Sequence, residues 1–111
     1  MDLEPFGAPS AQSYLFRLVE QIPERRLTYY GALGKALPNP VSGLIVGRWM
    51  TQCPLDLPWW RVIAKDGRLV IGKRSPELLG VQSELLKAEG HTVKDFCVQP
   101  PHDFWLPEQT R

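Results

Sequence analysis

The chain has 111 residues, 43% of them apolar, and a formal net charge of +1, which suits one small domain with a compact core rather than a disordered chain. No run of ~18 apolar residues predicts a membrane-spanning helix. The two cysteines, Cys53 and Cys97, are far apart and lack metal-ligand spacing, so we expect reduced thiols, no disulfide and no metal. The acidic start, Met1 to Glu4, lacks the basic region of a secretory signal, so we expect a cytoplasmic protein, associated with the nucleoid if it is bacterial.

The near-neutral total charge hides a basic middle. Between Arg25 and Arg74 stand nine basic and two acidic residues, a net charge of +7, whereas the flanks carry four basic and ten acidic residues, a net charge of −6. A cluster of Lys and Arg on one part of a fold is typical of nucleic-acid binders. A solvated basic face without a partner produces the same pattern, so charge alone leaves both alternatives open.

Three helices are predicted in the first half of the chain. Ser10 is the expected N-cap of the first, whose apolar residues recur at helical spacing until Pro23 ends it. Thr28 is the expected N-cap of a second, shorter helix, and Ser42 that of a third, which runs to about Gln52. Two short helices joined by a tight turn, the second flanked by basic residues, indicate a helix-turn-helix.

A hairpin and a last helix are predicted in the second half. Asp66-Gly67 is the strongest local hairpin signal and would join strands over residues 61–64 and 68–71. Pro76, favourable at a first helical position, would begin a helix that ends near Glu89. The expected fold is therefore mainly α with a short β-hairpin, a single helix-turn-helix domain of winged-helix type.

Three parts are expected along the chain. Residues 1–9 have no periodicity and are expected to form a flexible arm. Residues 10–93 would form the DNA-binding domain. Residues 94–111 would be a C-terminal extension that packs on the core through apolar residues such as Phe104 and Trp105.

Five short motifs then stand out. In chain order they are Ile22-Pro23 with Leu27-Thr28-Tyr29-Tyr30-Gly31, Val46-Gly47, Pro58-Trp59-Trp60-Arg61-Val62, Asp66-Gly67, and Leu85-Leu86-Lys87-Ala88-Glu89-Gly90. Together and in this order they resemble the O6-alkylguanine-DNA alkyltransferases. That family has Pro-Cys-His-Arg-Val in the third motif, so Trp59 replaces the Cys that accepts the alkyl group and Trp60 the His that helps to deprotonate it. An indole cannot form the thiolate that attack requires, and the same Trp marks the alkyltransferase-like proteins.

The resemblance implies a protein without catalytic residues or cofactor. Alkyltransferase-like proteins bind duplex DNA through the minor groove, flip an O6-alkylated guanine and mark it for nucleotide excision repair. The expected partners are therefore DNA containing O6-alkylguanine and excision-repair proteins, and we expect a monomer. The alternative is a general DNA-binding or regulatory module of the same fold without lesion specificity.

The resemblance also assigns residues to the site. Tyr30 aligns with the Tyr that rotates the target nucleotide out of the duplex, with Tyr29 as the competing candidate, and Trp59 would pack against the base. Arg74 would read the guanine edge or, alternatively, neutralise a phosphate. The expected lesion pocket comprises Tyr30, Trp59, Trp60, Val62, Arg74 and Ser75. The expected DNA contacts are Thr28, Tyr29, Gly43, Leu44, Gly47, Arg48 and Lys73.

Several positions depart from the family or admit two interpretations. Leu44 stands where the family has an Arg that fills the gap left by the flipped base; a leucine can wedge between bases, and Arg48 one turn later is the other candidate. Cys53 replaces an Asn that braces the active-site turn, and we do not expect it to act as a substitute acceptor. Gly43 and Gly47 permit either close approach to the minor groove or tight helix packing.

The aromatic residues of the site have a structural alternative, since Tyr30 and the two adjacent Trp residues could belong to the core. Two neighbouring residues of an extended segment point opposite ways, so Trp59 and Trp60 are not both expected to be fully buried. Arg61 and Glu89 are expected to be structural, Arg61 through an ion pair.

Overall fold

The computed structural model of the chain describes residues 10–71 and 75–107. In these residues it has four α-helices, a 3-10 turn and four short strands in two two-stranded sheets. The helices are α1 (Ala11–Glu20), α2 (Tyr30–Lys35), α3 (Gly43–Met50) and α4 (Pro76–Ala88), the 3-10 turn is Trp59–Arg61, and the strands are β1 (Thr28–Tyr29), β2 (Val62–Ile63), β3 (Val93–Lys94) and β4 (Cys97–Val98). The mainly α fold class with a short hairpin is confirmed. The arm expected over residues 1–9 lies outside the described residues, as do Lys73 and Arg74.

Two of the three predicted helix caps are confirmed. The Ser10 hydroxyl accepts from the backbone N–H of Ser13 at 3.0 Å, and the Ser42 hydroxyl accepts from that of Ile45 at 3.3 Å. Each satisfies one of the N–H groups that a helix start leaves without an intrahelical partner. These caps hold α1 and α3 at the start points that the sequence predicts.

The prediction that Thr28 caps α2 was wrong. Thr28 lies in β1, where it pairs in parallel with Val62, and its side chain is fully buried. The N-cap of α2 is Tyr29, which makes no side-chain capping hydrogen bond. A strand partner more than thirty residues away therefore fixes the start of α2, and a local capping pattern cannot reveal such a partner.

The hairpin predicted at Asp66-Gly67 is confirmed as a turn, but its two arms do not form a sheet with each other. The Ala64 N–H donates to the Arg68 carbonyl at 3.0 Å across the turn, and the Gly67 N–H donates to the Ala64 carbonyl at 2.9 Å. However, β2 pairs with β1, and the predicted second strand instead runs beside the tail, where the Leu69 N–H donates to the Phe96 carbonyl at 2.9 Å. The antiparallel hairpin of the structure is β3–β4, in a segment without a recognisable strand pattern.

The core has two adjoining parts. The larger one is built from α1, α2 and α3 together with Trp59, and the smaller one joins Leu27 and Ile63 to α4 and the tail. The tail is fastened to the second part, because the Trp105 N–H donates to the Leu27 carbonyl at 2.7 Å and Phe104 packs edge-on against Tyr29, 4.9 Å between ring centres. The domain boundary at residue 93 stays a prediction.

The turn between α2 and α3 requires a glycine. A Cβ on Gly34 would stand 2.2 Å from the Val41 carbonyl oxygen, inside van der Waals contact, while the Val41 N–H donates to the Gly34 carbonyl at 3.2 Å. The close approach of these two segments sets α3 against α2. In the described part of the chain, no helix is long and apolar enough to cross a membrane.

Candidate nucleic-acid interface

The structure brings three of the predicted pocket residues together. Tyr30 at the start of α2, Trp59 in the 3-10 turn and Ser75 before α4 line one small pocket. Ile71 and Ser75, the described residues on either side of the segment with Lys73 and Arg74, both lie in its wall. The assignment of Arg74 and Lys73 stays a prediction.

The pocket is nearly closed. Its volume is about 30 Å³, room for roughly two water molecules. Trp59, with 6% of its surface exposed, packs at once into the larger core and against the pocket. The core alternative for Trp59 is therefore confirmed, and its assignment to the lesion pocket stays a prediction. The space is too small to hold a base unless side chains of the wall move.

Trp60 has a different environment from Trp59, and the prediction that the two are not both fully buried is confirmed. Their rings are perpendicular, with centres 6.1 Å apart. The Trp60 indole N–H donates to a Glu89 carboxylate oxygen at 3.2 Å, and its ring lies 5.2 Å from the Arg61 guanidinium carbon. Trp60 is not among the residues that line the pocket, contrary to the prediction, and its carbonyl accepts from the side chain of Gln82, which does line it.

The ion pair expected for Arg61 is confirmed. Its partner is Glu89 at 2.6 Å, and the two side chains are 10% and 14% exposed. Arg61 also donates to the Ile22 carbonyl at 2.8 Å, and Glu89 accepts from the backbone N–H of Arg25 at 3.2 Å. This Glu89 network, comprising Trp60, Arg61, Arg25 and Glu89, joins the end of α4 to the 3-10 turn and the loop before β1.

The Glu89 carboxyl is held in its charged form. Desolvation by burial alone would raise the pKa of Glu89, but the hydrogen bonds from Arg61 and Trp60 and the charge of Arg61 outweigh it and lower the pKa. Glu89 is therefore an anion at neutral pH that fixes the position of its donors. The structural role expected for it is confirmed.

Gln82 is a pocket residue that the sequence analysis missed. It is 1% exposed, lines the pocket, and its amide N–H₂ donates to the carbonyls of Trp60 and Val62, each at 3.1 Å. Its amide oxygen is buried without a partner among the described residues. The available signal was a polar residue within the apolar stripe of α4, between Leu78 and Leu86.

Val62 and Tyr29 lie outside the pocket wall. Val62 is buried in β2, and its carbonyl is already bonded to Gln82. Tyr29 packs against Phe104, with the Lys65 ammonium 5.3 Å from its ring centre. Tyr30, and not Tyr29, lines the pocket with Trp59, and the assignment of either tyrosine to nucleotide rotation stays a prediction.

Cys53 also lies in the pocket wall. Burial, with a smaller contribution from the charge of Asp56, raises the pKa of the Cys53 thiol to about 11. A thiol that stays protonated at neutral pH is a poor nucleophile. Its environment therefore opposes a role as a substitute alkyl acceptor.

Two of the seven predicted DNA contacts lie on the outer face of α3. Leu44 is 64% exposed and Arg48, one turn later, is also exposed. A Cβ on Gly43 would lie 3.1 Å from the backbone nitrogen of Gly31, so Gly43 serves the packing of α3 on α2. Thr28 has no exposed surface with which to contact DNA, and Gly47 lies on the partly buried middle of the helix.

The basic middle of the chain offers fewer free cations than its charge predicts. The Arg61 guanidinium is held in the buried ion pair with Glu89 and is not available to a phosphate. Arg68 pairs with Asp66 at 2.8 Å, whereas Arg26 has a long and exposed contact with Asp103, at 3.9 Å. Among the other described basic residues of this stretch, Arg25, Lys35, Arg48 and Lys65 remain exposed, and of these Lys35 and Arg48 belong to α2 and α3.

Two helices held at a glycine turn, followed by a nearly closed pocket with Trp at its wall, define a DNA-binding domain of the alkyltransferase type. The family model for the DNA binding domain of 6-O-methylguanine DNA methyltransferase matches residues 10–91, and the chain belongs to this family.

Two kinds of relative agree with this assignment. A DNA base-flipping protein of Vibrio parahaemolyticus is 31% identical over 84 residues, which cover 74% of this chain and 81% of that protein. The crystal structure of S. pombe Atl1 in complex with damaged DNA containing O6-carboxymethylguanine superimposes with a TM-score of 0.71 at 22% identity, covering 86% of this chain and 94% of that one. A second structure of the S. pombe protein with DNA gives a TM-score of 0.69. These structures show that the fold is the alkyltransferase-like fold.

Proposed function

We propose that the chain is a non-enzymatic sensor of O6-alkylguanine in duplex DNA. In this proposal α3 enters the minor groove, Tyr30 helps to turn the damaged nucleotide out of the duplex, and the base is held against Trp59. The bound protein then marks the lesion for nucleotide excision repair. The base-flipping name of the Vibrio relative and the lesion-containing DNA bound to the S. pombe neighbour support the first part.

One observation carries the proposal. Tyr30, Trp59 and Ser75 come from three different elements, and all line the same pocket. Extrusion of a base costs a few kcal/mol of stacking and pairing, which a pocket can return by stacking the base on an indole. An O6-alkyl group adds apolar surface that the Trp59 ring can cover, whereas unmodified guanine lacks it.

The geometry also supports binding without alkyl transfer. The nitrogen lone pair of the Trp59 indole is part of the aromatic system, so the side chain offers no nucleophile for displacement at carbon. The nearby Cys53 thiol is protonated at neutral pH because its pKa is raised to about 11. A bound lesion would therefore stay chemically unchanged until another protein acts on it.

The test compares two duplexes that differ in a single O6-methylguanine. Affinity is measured by anisotropy of an end label, and extrusion by the fluorescence of 2-aminopurine placed beside the target. We expect the modified duplex to bind at least about tenfold more tightly, a difference of ~1.4 kcal/mol, with a rise in 2-aminopurine fluorescence. Repeating the titrations at several salt concentrations separates phosphate contacts, which weaken with salt for both duplexes.

The variants are chosen to spare the core. Trp59→Ala would remove a buried ring and cost about 3–5 kcal/mol of stability, so Trp59→Phe and Tyr30→Phe are the informative substitutions. Trp105→Phe changes a core aromatic of the tail outside the pocket wall and serves as the matched control. Equal, salt-sensitive affinity for both duplexes would refute lesion sensing and leave a general DNA-binding module, which the exposed Leu44 would suit.

A further inference from the structure

A second, larger concavity lies apart from the lesion pocket. It has a volume of about 520 Å³ and is formed by residues of three segments, 25–27 before β1, 90–94 after α4, and 98–103 of the tail. Its described lining contains no residue of α2 or α3 and shares none with the pocket beside Trp59. This tail groove is therefore a separate surface that the proposed DNA binding does not use.

The tail groove is positively charged. Arg25, Arg26 and Lys94 line it, and Asp103 is the acidic residue among its described lining. Asp103 neutralises little of this charge, because its carboxylate lies 3.9 Å from Arg26 and its side chain is 96% exposed. The rest of the wall includes the exposed rings of Pro100 and Pro101, so the groove offers cations beside apolar contacts.

Two polar atoms of the tail groove lack partners. The Nε of Arg26 and the Nε2 of His91 are buried without a hydrogen bond among the described residues. A buried polar atom without a partner is unfavourable, and the cost is relieved when an acceptor or donor arrives. Small turns of these side chains toward the groove would let a ligand supply an acceptor for the Arg26 Nε–H and a hydrogen-bond partner for the His91 Nε2.

The backbone of Arg25 has an unusual conformation. It has φ +67, in the left-handed region that favours glycine and that is strained for a long side chain. Its N–H is fixed to Glu89 at 3.2 Å. A glycine would satisfy this backbone, so the fold does not require the arginine, and its cation remains available at the groove.

We propose that the tail groove binds an acidic, partly apolar peptide segment of another protein. Carboxylates would pair with Arg25, Arg26 and Lys94, and apolar side chains would lie on Pro100 and Pro101. A peptide fits this groove better than a DNA phosphate, because part of its wall is apolar and α3 contributes nothing to the described lining. Peptide binding at the tail groove does not depend on lesion sensing and is expected whether or not damaged DNA is present.

The probe is a labelled peptide of eight residues that alternates Asp and Leu, with an alternating Asn and Leu peptide as the neutral reference. Binding is measured by anisotropy, and its location by backbone amide shifts in ¹⁵N spectra. We expect the acidic peptide to shift amides of residues 25–27 and 90–94 and to leave Tyr30 and Trp59 in place. Arg25→Gly and Lys94→Gln should each weaken the peptide about tenfold, the effect of one charge-assisted contact.

The Arg25→Gly variant separates binding from folding. Because glycine suits φ +67, its urea midpoint should stay unchanged or rise while peptide affinity falls. Arg17→Gln removes an exposed cation from α1, outside the groove, and should alter affinity less than twofold or so.

Four outcomes would overturn the proposal. These are equal binding of the neutral peptide, equal weakening by Arg17→Gln, no amide shifts in the groove at millimolar acidic peptide, and a loss of plain-duplex affinity in Arg25→Gly as large as the loss of peptide affinity. The last result would assign the groove to a DNA phosphate instead.

Discussion

Replacement of Glu89 by Gln should strongly destabilise the domain. The change keeps the size of the side chain but removes the negative charge that faces Arg61, leaving a guanidinium that is 10% exposed with the Ile22 carbonyl as its remaining acceptor outside the pair. Breaking a buried ion pair by removing one partner costs about 3–5 kcal/mol. Because Gln retains one acceptor oxygen, we expect about 3 kcal/mol, a large share of the ~5–15 kcal/mol that stabilises a domain.

Urea unfolding followed by Trp fluorescence measures this loss. With a slope of about 2 kcal/mol per M, the midpoint should fall by about 1.5 M. Glu84→Gln is the matched control on the same helix, because its pair with Lys87 is long, at 3.4 Å, and mostly exposed. It should cost less than about 0.5 kcal/mol. A loss below ~1 kcal/mol for Glu89→Gln would refute the idea that the Glu89 network holds the 3-10 turn.

The same pair predicts an acid limb of stability. Since the pKa of Glu89 is lowered on folding, its contribution is complete above the unfolded pKa and is lost as the pH falls through the folded one. Asp66, whose pKa is lowered chiefly by the backbone hydrogen bond of Arg68, titrates in the same acid region. Comparing wild type and Glu89→Gln in an Asp66→Asn background isolates the contribution of Glu89, and identical acid limbs would contradict it.

Three further predictions concern the pocket, α3 and the helix turn. Incubation with excess O6-methylguanine DNA at pH 7 should add no methyl mass to Cys53. The pKa of its thiol is about 11, so roughly one thiol in ten thousand is ionised at this pH. A mass gain mapped to Cys53 would make the chain an enzyme. Leu44→Ala should weaken binding of the modified duplex about fivefold, because the proposed wedge between bases is lost. Thermal stability should stay unchanged, because the Leu44 side chain is 64% exposed. The control Val81→Ala, at another exposed position, should leave binding unchanged, and equal affinities for Leu44→Ala and wild type would exclude the wedge. Gly34→Ala should lower the free energy of unfolding by more than about 2 kcal/mol, because its Cβ would meet the Val41 carbonyl at 2.2 Å; calorimetry showing an unchanged melting temperature would contradict this.

Local signals in the sequence predicted local structure well. The hydroxyls of Ser10 and Ser42 each accept from a backbone N–H three residues further along the chain, so both caps depend on local contacts. Thr28 carries the same capping signal, but its pairing with Val62 places it in a strand instead. The residue type was favourable in all three cases, and the long-range partner decided the outcome.

The tail hairpin illustrates why another part was missed. Its turn residues Asp95 and Phe96 both have positive φ, 52° and 56°, as a tight hairpin turn requires. In a sequence, such turns are normally recognised by a glycine or an asparagine, and Phe96 is neither. Gly67, by contrast, was recognised as a turn residue, while its second role was hidden: a Cβ there would stand 2.5 Å from the Val98 carbonyl oxygen of the tail.

The candidate site was predicted in part for the same reason. The motif placed Trp59 and Tyr30, which the structure brings to one pocket. Gln82 was missed because its contacts to Trp60 and Val62 span about twenty residues, and no spacing rule connects them.

Because the pocket beside Trp59 is small, about 30 Å³, its opening would change the affinity for DNA without changing the preference for one base over another. If the wall must open before any base enters, the population of the open form multiplies every association constant by the same factor. Damaged and undamaged guanine are then penalised equally, and the ratio of their affinities depends on contacts made after opening. A substitution that loosens the wall would then tighten binding to every duplex that inserts a base and leave the ratio of the two affinities unchanged.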